Sequence, residues 1–525
     1  MRDFYVPGRS SVWAENGMCA TSHPLAAQAA VDILKQGGNA MDAAIAGAVL
    51  LGLCEPQMTG IGGDCFVLFS PAGSDDIHAL NGSGCAPANL SAETLRSEGH
   101  TSVPLRSPHS ITIPTAIDAF CRLSEDWGKL GIADCLAPAI HYAQNGVPIH
   151  ARVAFDLATM TKDLHPSAIA TYSNKGTPLK IGDSFYAPGQ AEVLKRIAKD
   201  GRDAFYTGEI AEDMVSSLNA LGGVHQLSDF EKQTSFYTDP ISGSYQGVDL
   251  VEHPPNGQGA TAILILNILS HFNLAELDPM GAQRAHLEAE TTKLAYDVRN
   301  RFIADPAHTS ATDYMLSPET AKRLAALINP NKALRGVSQI TEAVHKDTVY
   351  ITVVDRDRMA VSLIYSIFHG FGSGIASEKF GILCQNRGAG FNLSEGHVNE
   401  LSGGKRPMHT IIPGMLVKDG KPHTSFGVMG GQYQPTGHVR YLTNTHVYGM
   451  SPQEAIDAPR CFAEGDFLKI EKSYDPEVIQ QLINMGHDVD DTIGPMGGAQ
   501  SIIMHASGLL EGASDPRKDG CALGY

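Results

Sequence analysis

The fold is decided by the stretch Asp347-Thr348-Val349-Tyr350-Ile351-Thr352-Val353-Val354-Asp355. Its residues are mostly β-branched, which predicts a strand with a threonine at its head. A turn follows at 355–358, so that 348–354 and 359–366 are predicted to form a β-hairpin. A buried strand carries no chemistry by itself. If the bond before Thr348 is cut, the threonine hydroxyl becomes a nucleophile beside a freed α-amine, whose ordinary pKa of about 7.7–8.0 suits a general base.

Helical and strand patterns extend in both directions from this hairpin. Asn39 is suited to cap a helix that is apolar nearly all round, which predicts burial. Residues 123–232 are predicted to be mostly helical, whereas 307–347 is polar and rich in turns and is expected to be an exposed segment. The other predicted elements are helices at 25–36, 43–53, 260–272 and 283–303 and strands at 65–70, 248–251 and 415–417.

Composition bounds the class of protein. With 525 residues, 43% hydrophobic and 18% charged, the chain has the composition of a globular protein. Its net charge of -18, from 39 basic and 57 acidic residues, argues against a nucleic-acid partner. Residues 1–20 show no secretory signal pattern, and no run is long and apolar enough to span a membrane. We therefore expect a cytoplasmic protein without a membrane partner.

The nine cysteines are an odd number, scattered along the chain and without a CxxC pair. This pattern is typical of reduced, mostly buried thiols rather than of a disulfide framework. No group of cysteines and histidines has the sequence spacing of metal ligands. We therefore expect neither a metal nor another cofactor.

Eight ordered motifs resemble the γ-glutamyltranspeptidase family, and they extend over nearly the whole chain. A lone glycine-rich turn would be weak evidence, but ordered matches over 525 residues are strong. The motifs are GGNAMDAA at 37–44, TGIGGD at 59–64, HPPNGQG at 253–259, TVYITVVD at 348–355, FGSGI at 371–375, RP at 406–407, GG at 430–431 and GASDPR at 512–517.

The resemblance implies an N-terminal-nucleophile hydrolase of the α+β class, with a four-layer αββα sandwich. Such a chain is made as one precursor and is cut here into a large subunit, 1–347, and a small subunit, 348–525. The Thr348 hydroxyl would attack the Asp347 carbonyl to form an ester, which water hydrolyses, and the same hydroxyl would then serve substrate turnover. The two subunits are expected to stay associated, and the processed unit has the further option of a homodimer.

The resemblance also implies roles for three residues near the nucleophile. Ser366, on the return strand of the hairpin, stands where the family has a threonine that assists the nucleophile; the alternative is a strand serine bonded to backbone. Gly430-Gly431 match a glycine pair whose N–H groups form an oxyanion hole, and each donor of this kind is worth about 3–4 kcal/mol. The alternative for the pair is a plain turn.

His409 and Thr410 occupy the place of a serine pair that contacts substrate in the family. Thr410 keeps a hydroxyl, whereas His409 either holds charge near neutral pH or is structural. Arg387 is a cation suited to hold one carboxylate bidentately, with a structural salt bridge as the alternative. Phe368 replaces an asparagine of the family and either blocks the pocket or lines it.

The chain departs from the transpeptidase pattern where an α-amino acid head group is bound. The stretch NGSGCAP at 81–87 has no arginine for the α-carboxylate, Phe368 stands at the asparagine position, and Gly390 replaces the aspartate that binds the α-amine. A buried charge without a partner costs several kcal/mol. The pocket is therefore expected to bind such a head group poorly.

The local sequences QNRG, GKRP and FGVMGGQ resemble those of a divergent branch of the family that includes cephalosporin-acylase-like proteins and oxamate amidohydrolases. The sequence thus predicts an amidohydrolase for a small acid amide, of oxamate, glutaryl or γ-glutamyl type. A true γ-glutamyltranspeptidase or glutathione hydrolase is the alternative, and an inactive binding protein of the same fold is a third possibility. Nucleotide binding by the turn at 60–63 is a weak further alternative, because the turn lacks GxGxxG spacing and the expected arrangement of strand and acidic residue.

Overall fold

The computed structural model describes residues 5, 8–309, 311–336, 346–465, 467–492 and 494–525, with only the backbone of residues 346 and 347. The strands in these ranges are β1 (Val12–Ala14), β2 (Met18–Thr21), β3 (Asp64–Ser70), β4 (His78–Gly82), β5 (Val147–Pro148), β6 (Ser184–Phe185), β7 (Phe236–Thr238), β8 (Ile241–Tyr245), β9 (Val248–Glu252), β10 (Lys346–Val354), β11 (Ala360–His369), β12 (Gly414–Lys418), β13 (Lys421–Met429), β14 (Cys461–Glu464), β15 (Phe467–Ile470), β16 (Asp488–Asp490), β17 (Gly498–Met504), β18 (Leu510–Ser514) and β19 (Cys521–Gly524).

The α-helices are α1 (Pro24–Lys35), α2 (Ala40–Cys54), α3 (Ala92–Ser97), α4 (Ala116–Trp127), α5 (Ile132–Asn145), α6 (Ala151–Met160), α7 (Pro166–Tyr172), α8 (Pro188–Asp200), α9 (Asp203–Tyr206), α10 (Gly208–Asn219), α11 (Leu227–Lys232), α12 (Gly259–Leu269), α13 (Ala282–Phe302), α14 (Thr312–Leu316), α15 (Pro318–Ala325), α16 (Gln434–His446), α17 (Pro452–Asp457) and α18 (Pro476–Asn484). Short 3-10 helices lie at Pro108–Ser110, Thr161–Asp163, Leu274–Glu276, Arg387–Gly390 and Gly431–Tyr433.

Two seven-stranded sheets form the centre of the molecule. The first has the order β1-β18-β17-β13-β12-β9-β8 and the second the order β19-β2-β10-β11-β3-β4-β7. Neighbouring strands are antiparallel throughout both sheets. The predicted hairpin is confirmed as the pair β10 and β11 in the middle of the second sheet.

Three layers of apolar packing show how helices and sheets stack. Helices α1, α2, α4 and α5 share one core with the outer face of the second sheet. Helices α12, α13 and α16 share another with the outer face of the first sheet. Between the sheets, Phe66, Tyr350 and Ile364 of the second sheet pack against Met429 and Ile411. The arrangement is the predicted four-layer αββα sandwich.

Helix α2 supports the strand that carries Thr348. Every residue from Ala40 to Cys54 is buried, as the all-round apolar pattern predicts. The helix begins at Asn39, whose side chain accepts hydrogen bonds from the Met41 and Asp42 N–H groups in a capping box. Gly47 brings the helix backbone close to Ile351 of β10. The helix is thus a rigid back wall behind the head of β10.

The structure differs from the sequence prediction in the segment before the proposed cut. Instead of an exposed segment throughout, it has two short helices, α14 and α15, which bury Met315 and Ala321. These apolar residues pack against the core beneath α12. Residues 337–345, which complete the predicted segment, lie outside the described residues. Among the helices that the structure does describe, none has the length and apolar character needed to cross a membrane.

Candidate active site

Thr348 lies at an irregularity of the β10–β11 pairing. Asp347 is opposite Phe368 and Val349 is opposite Tyr365, so that Ser366 and Ile367 together face Thr348. The extra residue on β11 is a β-bulge, a feature that re-aims side chains next to active sites. The Thr348 side chain is buried, and its Oγ1 donates a hydrogen bond of 3.2 Å to Ser366 Oγ. The predicted proximity of these two hydroxyls is therefore present.

Ser366 Oγ accepts hydrogen bonds from more than the threonine. The Phe368 N–H lies 2.9 Å from it, and Arg387 Nη2 lies 3.4 Å from it. Phe368 has a φ of 81°, a left-handed conformation that is uncommon for a bulky residue. This conformation turns the chain so that its N–H points back at the serine. Ser366 is thus fixed by the Phe368 N–H, the Thr348 hydroxyl and the Arg387 guanidinium together.

Arg387 is fully buried rather than exposed to a substrate cleft. Its Nη1 donates to Thr410 Oγ1 at 2.9 Å, and its guanidinium lies over the Phe368 ring, 4.0 Å from the ring centroid. Burial lowers the pKa of Arg387 to about 9, against the opposing effect of Asp64. The residue is still a cation at neutral pH. The structure therefore joins Arg387, Phe368 and Thr410 in one packed group beside Ser366.

Asp64 carries the negative charge of this region. It is fully buried on β3, directly opposite Ser366 of β11, and accepts a hydrogen bond of 2.9 Å from Gln385 Nε2. His409 Nε2 lies 3.3 Å from its other oxygen. Burial raises the pKa of Asp64 to about 6, although the Arg387 cation opposes this effect. Asp64 and Gln385 were not among the residues predicted from sequence, because they come from segments more than 300 positions apart.

His409 is in a structural setting. Its ring lies between Asp64 and the Phe66 ring, whose centroid is 4.7 Å away. Burial, followed by the positive charge of Arg387, holds the pKa of His409 well below its ordinary value. A neutral ring is therefore expected at pH 7, rather than the charged one that the sequence left open. Its backbone N–H donates to Asn256 O at 2.7 Å, which fixes the loop that carries Thr410.

Gly430 and Gly431 stand at the end of β13, where the chain enters helical structure. Their φ angles are 119° and 54°, both in the region that favours glycine. Gly431 begins the 3-10 helix that continues directly into α16. The first N–H groups of a helix have no acceptor within it, and the helix dipole makes this end attractive to negative charge. The Gly431 carbonyl accepts from Gln258 Nε2 at 2.9 Å, which holds the turn in place.

A cleft of about 400 Å³ opens beside Thr348 and Gly430. Its lining includes Arg152 and Phe155 of α6 together with Lys518, and Arg152 donates to the backbone carbonyl of Arg517, the neighbour of Lys518. Arg387, His409, Thr410 and Phe368 are not part of this lining. The predicted nucleophile and one predicted oxyanion glycine therefore share a cleft, whereas the predicted substrate-binding residues lie buried behind Ser366. Neither Arg152 nor Lys518 carried a sequence signal, since no motif or spacing marks them.

The stretch that lacks the family's arginine is occupied by an uncharged network. Asn81 Nδ2 donates to Asn256 Oδ1 at 2.8 Å, and Ser83 Oγ donates to Asn81 Oδ1 at 2.6 Å. Asn256 Nδ2 in turn donates to Pro407 O at 2.8 Å. These groups satisfy one another and support the loop before Thr410. They offer no cation for an α-carboxylate.

One group of potential metal ligands occurs in the described part of the chain, although the sequence shows no metal-ligand spacing. It consists of His286 and Glu290 on α13 with His487. His286 Nδ1 lies 2.8 Å from His487 Nε2, and Glu290 is paired with Lys293 at 2.8 Å. Because these side chains already satisfy one another, the group is accounted for as a structural network.

A threonine at the head of a central strand, inside an αββα sandwich and beside the start of a helix, is typical of the N-terminal-nucleophile hydrolases. The family model described as gamma-glutamyltranspeptidase matches residues 26–525. The chain belongs to the γ-glutamyltranspeptidase family, and it is an amidohydrolase or acyltransferase of that family.

Individual relatives are similar over nearly their whole lengths. The "Glutathione hydrolase-like YwrD proenzyme" of Bacillus subtilis is 35% identical, with 98% of this chain and 99% of the relative covered. The "Oxamate amidohydrolase proenzyme" of Klebsiella pneumoniae is also 35% identical, covering 98% of this chain and 100% of the relative. Among solved structures, a cephalosporin acylase from Bacillus halodurans matches with a TM-score of 0.93 and 36% identity, covering 100% of this chain and 98% of that one.

Proposed function

We propose that the chain cuts itself between Asp347 and Thr348 and then hydrolyses small acid amides through an acyl-enzyme on Thr348. The observation that carries this proposal is the hydrogen bond between Thr348 Oγ1 and Ser366 Oγ at the edge of a cleft that Gly430 also lines. Nucleophile, supporting hydroxyl and oxyanion donors are the parts that acyl transfer needs. The proposed products are subunits 1–347 and 348–525.

Self-cleavage is an N-to-O acyl shift followed by hydrolysis of the resulting ester. The Thr348 oxygen attacks the Asp347 carbonyl carbon, and the hydroxyl proton passes to the departing Thr348 nitrogen. The C–N bond breaks, which leaves an ester between Asp347 and the Thr348 side chain. Water hydrolyses this ester to give the Asp347 carboxylate, the free Thr348 hydroxyl and a free α-amine.

Turnover uses the same oxygen with a new base. The freed α-amine, with an ordinary pKa of about 7.7–8.0, takes the hydroxyl proton as Thr348 attacks the substrate amide. The N–H groups at Gly430-Gly431 face the developing oxyanion, at the end of a helix where negative charge is favoured. The proton then goes to the leaving amine. Water hydrolyses the acyl ester and restores Thr348.

The charges of the residues behind Ser366 support a substrate that is an acid amide without an α-amine. The uncharged groups at Asn81, Ser83 and Gly390 provide no partner for an α-amino acid head group. Arg387 is the cation beside Ser366, and Thr410, its hydrogen-bond partner, adds a hydroxyl. Arg387, Thr410, His409 and Phe368 are the residues proposed to bind the acid group of the substrate, although they lie buried behind Ser366 and do not line the cleft. The names of the relatives, an oxamate amidohydrolase and a cephalosporin acylase, support an amide with a single acid group.

A substrate comparison tests the proposal against a true γ-glutamyltranspeptidase. The purified enzyme would be assayed with oxamate, glutaryl-p-nitroanilide and γ-glutamyl-p-nitroanilide, with and without glycylglycine as acceptor. The proposal expects release from the oxamate or glutaryl substrate and little from the γ-glutamyl one. Efficient γ-glutamyl release that glycylglycine accelerates would favour the alternative. The Thr348→Ala variant is the matched control for contaminating activity.

Three properties of the whole protein remain predictions under this proposal. The two subunits stay associated after the cut, in line with the proenzyme names of the relatives. The processed unit has the option of forming a homodimer, which light scattering measures. A cytoplasmic location is tested by fractionating cells that express the chain at its natural level.

A further inference from the structure

The cleft beside Thr348 has a charged wall that the proposed chemistry leaves unused. Its charged lining residues are three cations and two anions, namely Arg152, Lys469, Lys518, Asp156 and Glu464. Four of these form two ion pairs. Arg152 Nε donates to Asp156 at 2.9 Å, and Lys469 is paired with Glu464. Lys518 is the remaining charge, so that the wall as a whole is positive.

Lys518 is unusual because it is almost completely buried and yet has no direct counter-ion. Its exposed fraction is 6%. Among the residues that the structure describes, none accepts a hydrogen bond from its Nζ or lies within ion-pair distance of it. Its stem packs on Gly498, where an added Cβ would come within 2.8 Å of Lys518 Cγ. The ammonium is therefore held in the cleft wall rather than free to swing into solvent.

The acidic group behind Lys518 does not neutralise it by contact. Glu55 is fully buried, and the positive charge of Lys518 reaches its carboxyl through space. Burial raises the pKa of Glu55 despite Lys518 and a hydrogen bond from Ser22. A buried ammonium with an incomplete set of partners is costly unless an anion completes it. The cleft is thus built to receive a negatively charged group beside Lys518.

The position of this wall relative to Thr348 indicates which part of a substrate it meets. The inner groups at Ser366, Arg387 and Thr410 are buried, whereas the cleft opens to solvent past Phe155, whose exposed fraction is 61%. The amine product must leave before water can attack the acyl-enzyme. It therefore has to occupy the side of Thr348 that is open to solvent, which is the side of Arg152 and Lys518.

We infer that Lys518, with Arg152 beside it, binds a carboxylate on the leaving amine of the substrate, while Phe155 and Phe462 contact its apolar part. This inference rests on the proposed function and deepens it. The amine product is then an acidic amine, such as an amino acid or an aminobenzoate, and the cleft is large enough for a leaving group of that size. Arg152 is fixed for this purpose by Asp156 and by the Arg517 carbonyl, to which Nη1 donates at 2.7 Å.

Two amides that differ only in the charge of the leaving group test the inference. They are the glutaryl amides of 4-aminobenzoate and 4-aminobenzamide, which give the same acyl-enzyme. We expect the processed enzyme to prefer the aminobenzoate by about tenfold in kcat/KM, the size of one charge-assisted contact. Lys518→Met should abolish this preference, and Lys518→Arg should retain it. Lys469→Met, in the same cleft but already paired with Glu464, is the control that should keep the preference.

The ratio of the two substrates within one variant is insensitive to partial misfolding. Equal kcat/KM for the two amides in the natural enzyme, or an unchanged preference in Lys518→Met, would overturn the inference. A third amide, the 5-amino-5-oxopentanoyl amide of 4-aminobenzamide, carries no acid on the acyl side. If Lys518→Met instead abolished a preference for glutaryl over this neutral acyl group, the carboxylate site would belong to the acyl part and the leaving-group assignment would be wrong.

A binding measurement separates this inference from the proposed function. Calorimetry with 4-aminobenzoate and 4-aminobenzamide on the uncut Thr348→Ala chain requires no turnover. Tighter binding of the benzoate that Lys518→Met removes in the Thr348→Ala background supports the subsite even if neither amide is hydrolysed. Equal binding of the two amines contradicts the subsite even if hydrolysis of the glutaryl amides succeeds.

Discussion

Two hydroxyl groups, those of Thr348 and Ser366, carry the chemistry proposed for this chain. They meet because a bulge on β11 places Ser366 across from the head of β10. Behind them, Arg387, Asp64 and His409 form a buried set of charges and hydrogen bonds. The charge balance of the site is therefore set by these few side chains, chiefly Arg387 and Asp64.

Removing the Ser366 hydroxyl should slow self-cleavage. Ser366→Ala leaves Thr348 Oγ1, the Phe368 N–H and Arg387 Nη2 without a shared acceptor. We expect a decrease of about a hundredfold, the lower end of the range for a lost catalytic hydrogen bond. Ser366→Thr restores a hydroxyl and should cleave at nearly the natural rate. Time-resolved denaturing electrophoresis of precursor made by cell-free translation measures both. Unchanged cleavage in Ser366→Ala would exclude a supporting role.

The Asp64 carboxylate should impose a pH dependence on self-cleavage. Its pKa of about 6 lies above the ordinary value, so the folded chain retains a proton that the unfolded chain loses. The contribution of Asp64 to stability is therefore full below about pH 4 and is lost as the pH rises through 6. Its charge, which balances Arg387, exists only above 6. Cleavage of isolated precursor, before any α-amine is freed, should therefore increase with pH through about 6.

Asp64→Asn is the variant that tests this dependence. In the asparagine variant the increase in cleavage rate near pH 6 should disappear, because the amide keeps the shape of the side chain but cannot ionise. Asp42→Asn removes another buried carboxylate, the capping group of α2, and should leave the increase near pH 6 unchanged. An increase near pH 6 that persists in Asp64→Asn would mean that a different group titrates.

Strand β10 is held in place by packing from both neighbouring layers. Tyr350 fills the space between the two sheets, and Gly47 of α2 accommodates Ile351 from the other side. The head of β10 carries Thr348, so that a shift of the strand displaces the nucleophile. Precise positioning of this kind is worth a large part of the rate of an acyl transfer.

A methyl group at Gly427 should disturb this packing. On β13, a Cβ at this position would overlap the buried Tyr350 ring, whose hydroxyl is hydrogen-bonded to Ser362 Oγ at 2.7 Å. We expect Gly427→Ala to destabilise the chain by about 1–3 kcal/mol, the usual cost of overpacking, and to slow self-cleavage. Chemical denaturation measures the first effect and electrophoresis the second. Gly60→Ala, where an added Cβ meets nothing within 4 Å, is the control, and equal behaviour of the two variants would contradict the packing argument.

The elements that could be predicted from sequence are those whose contacts are local. The β10–β11 hairpin and the capped helix α2 were predictable because β-branched runs, a turn and a cap are encoded by neighbours. Helix α13 was predicted at 283–303, but its pattern did not predict that the structure buries Arg284 with Glu288 and Glu290 with Lys293. Burial of a charge depends on its partner, and Glu288 also pairs with Arg440, 152 positions away.

The residues of the candidate site also differ in how far the sequence marks them. Thr348 and Gly430-Gly431 stand in motifs that the sequence displays, and Ser366 lies on the return strand of the predicted hairpin. Asp64 also ends a motif, TGIGGD, but its contacts with Gln385 and His409 exist only in the fold. Lys518 faces the cleft next to a helix, α6, that carries no motif. No pattern in a single sequence predicts contacts between such distant segments.

At the scale of the whole molecule, the proposed cut divides chains that are interleaved in both sheets. In the second sheet, β2 of the large subunit lies between β19 and β10 of the small subunit. In the first sheet, β1 and β9 of the large subunit border the four strands β18, β17, β13 and β12 of the small subunit. Separation of the subunits would break both sheets and expose the cores between the layers.

The two subunits should therefore behave as one folding unit. We expect them to co-elute in gel filtration under native conditions and to unfold in a single thermal transition, because the cut removes one covalent bond and no sheet pairing beyond the head of β10. The uncut Thr348→Ala chain provides the reference elution volume. Separate elution of the fragments, or two well-resolved transitions in the processed protein, would contradict the interleaved arrangement.

The most direct test of the central claim is intact mass spectrometry of the purified protein under denaturing conditions, with Thr348→Ala beside it. The natural chain should give two masses that meet between Asp347 and Thr348, and the variant should give one full-length mass. A natural chain that stays whole, or a Thr348→Ala chain that splits at the same bond, would contradict Thr348 as the nucleophile.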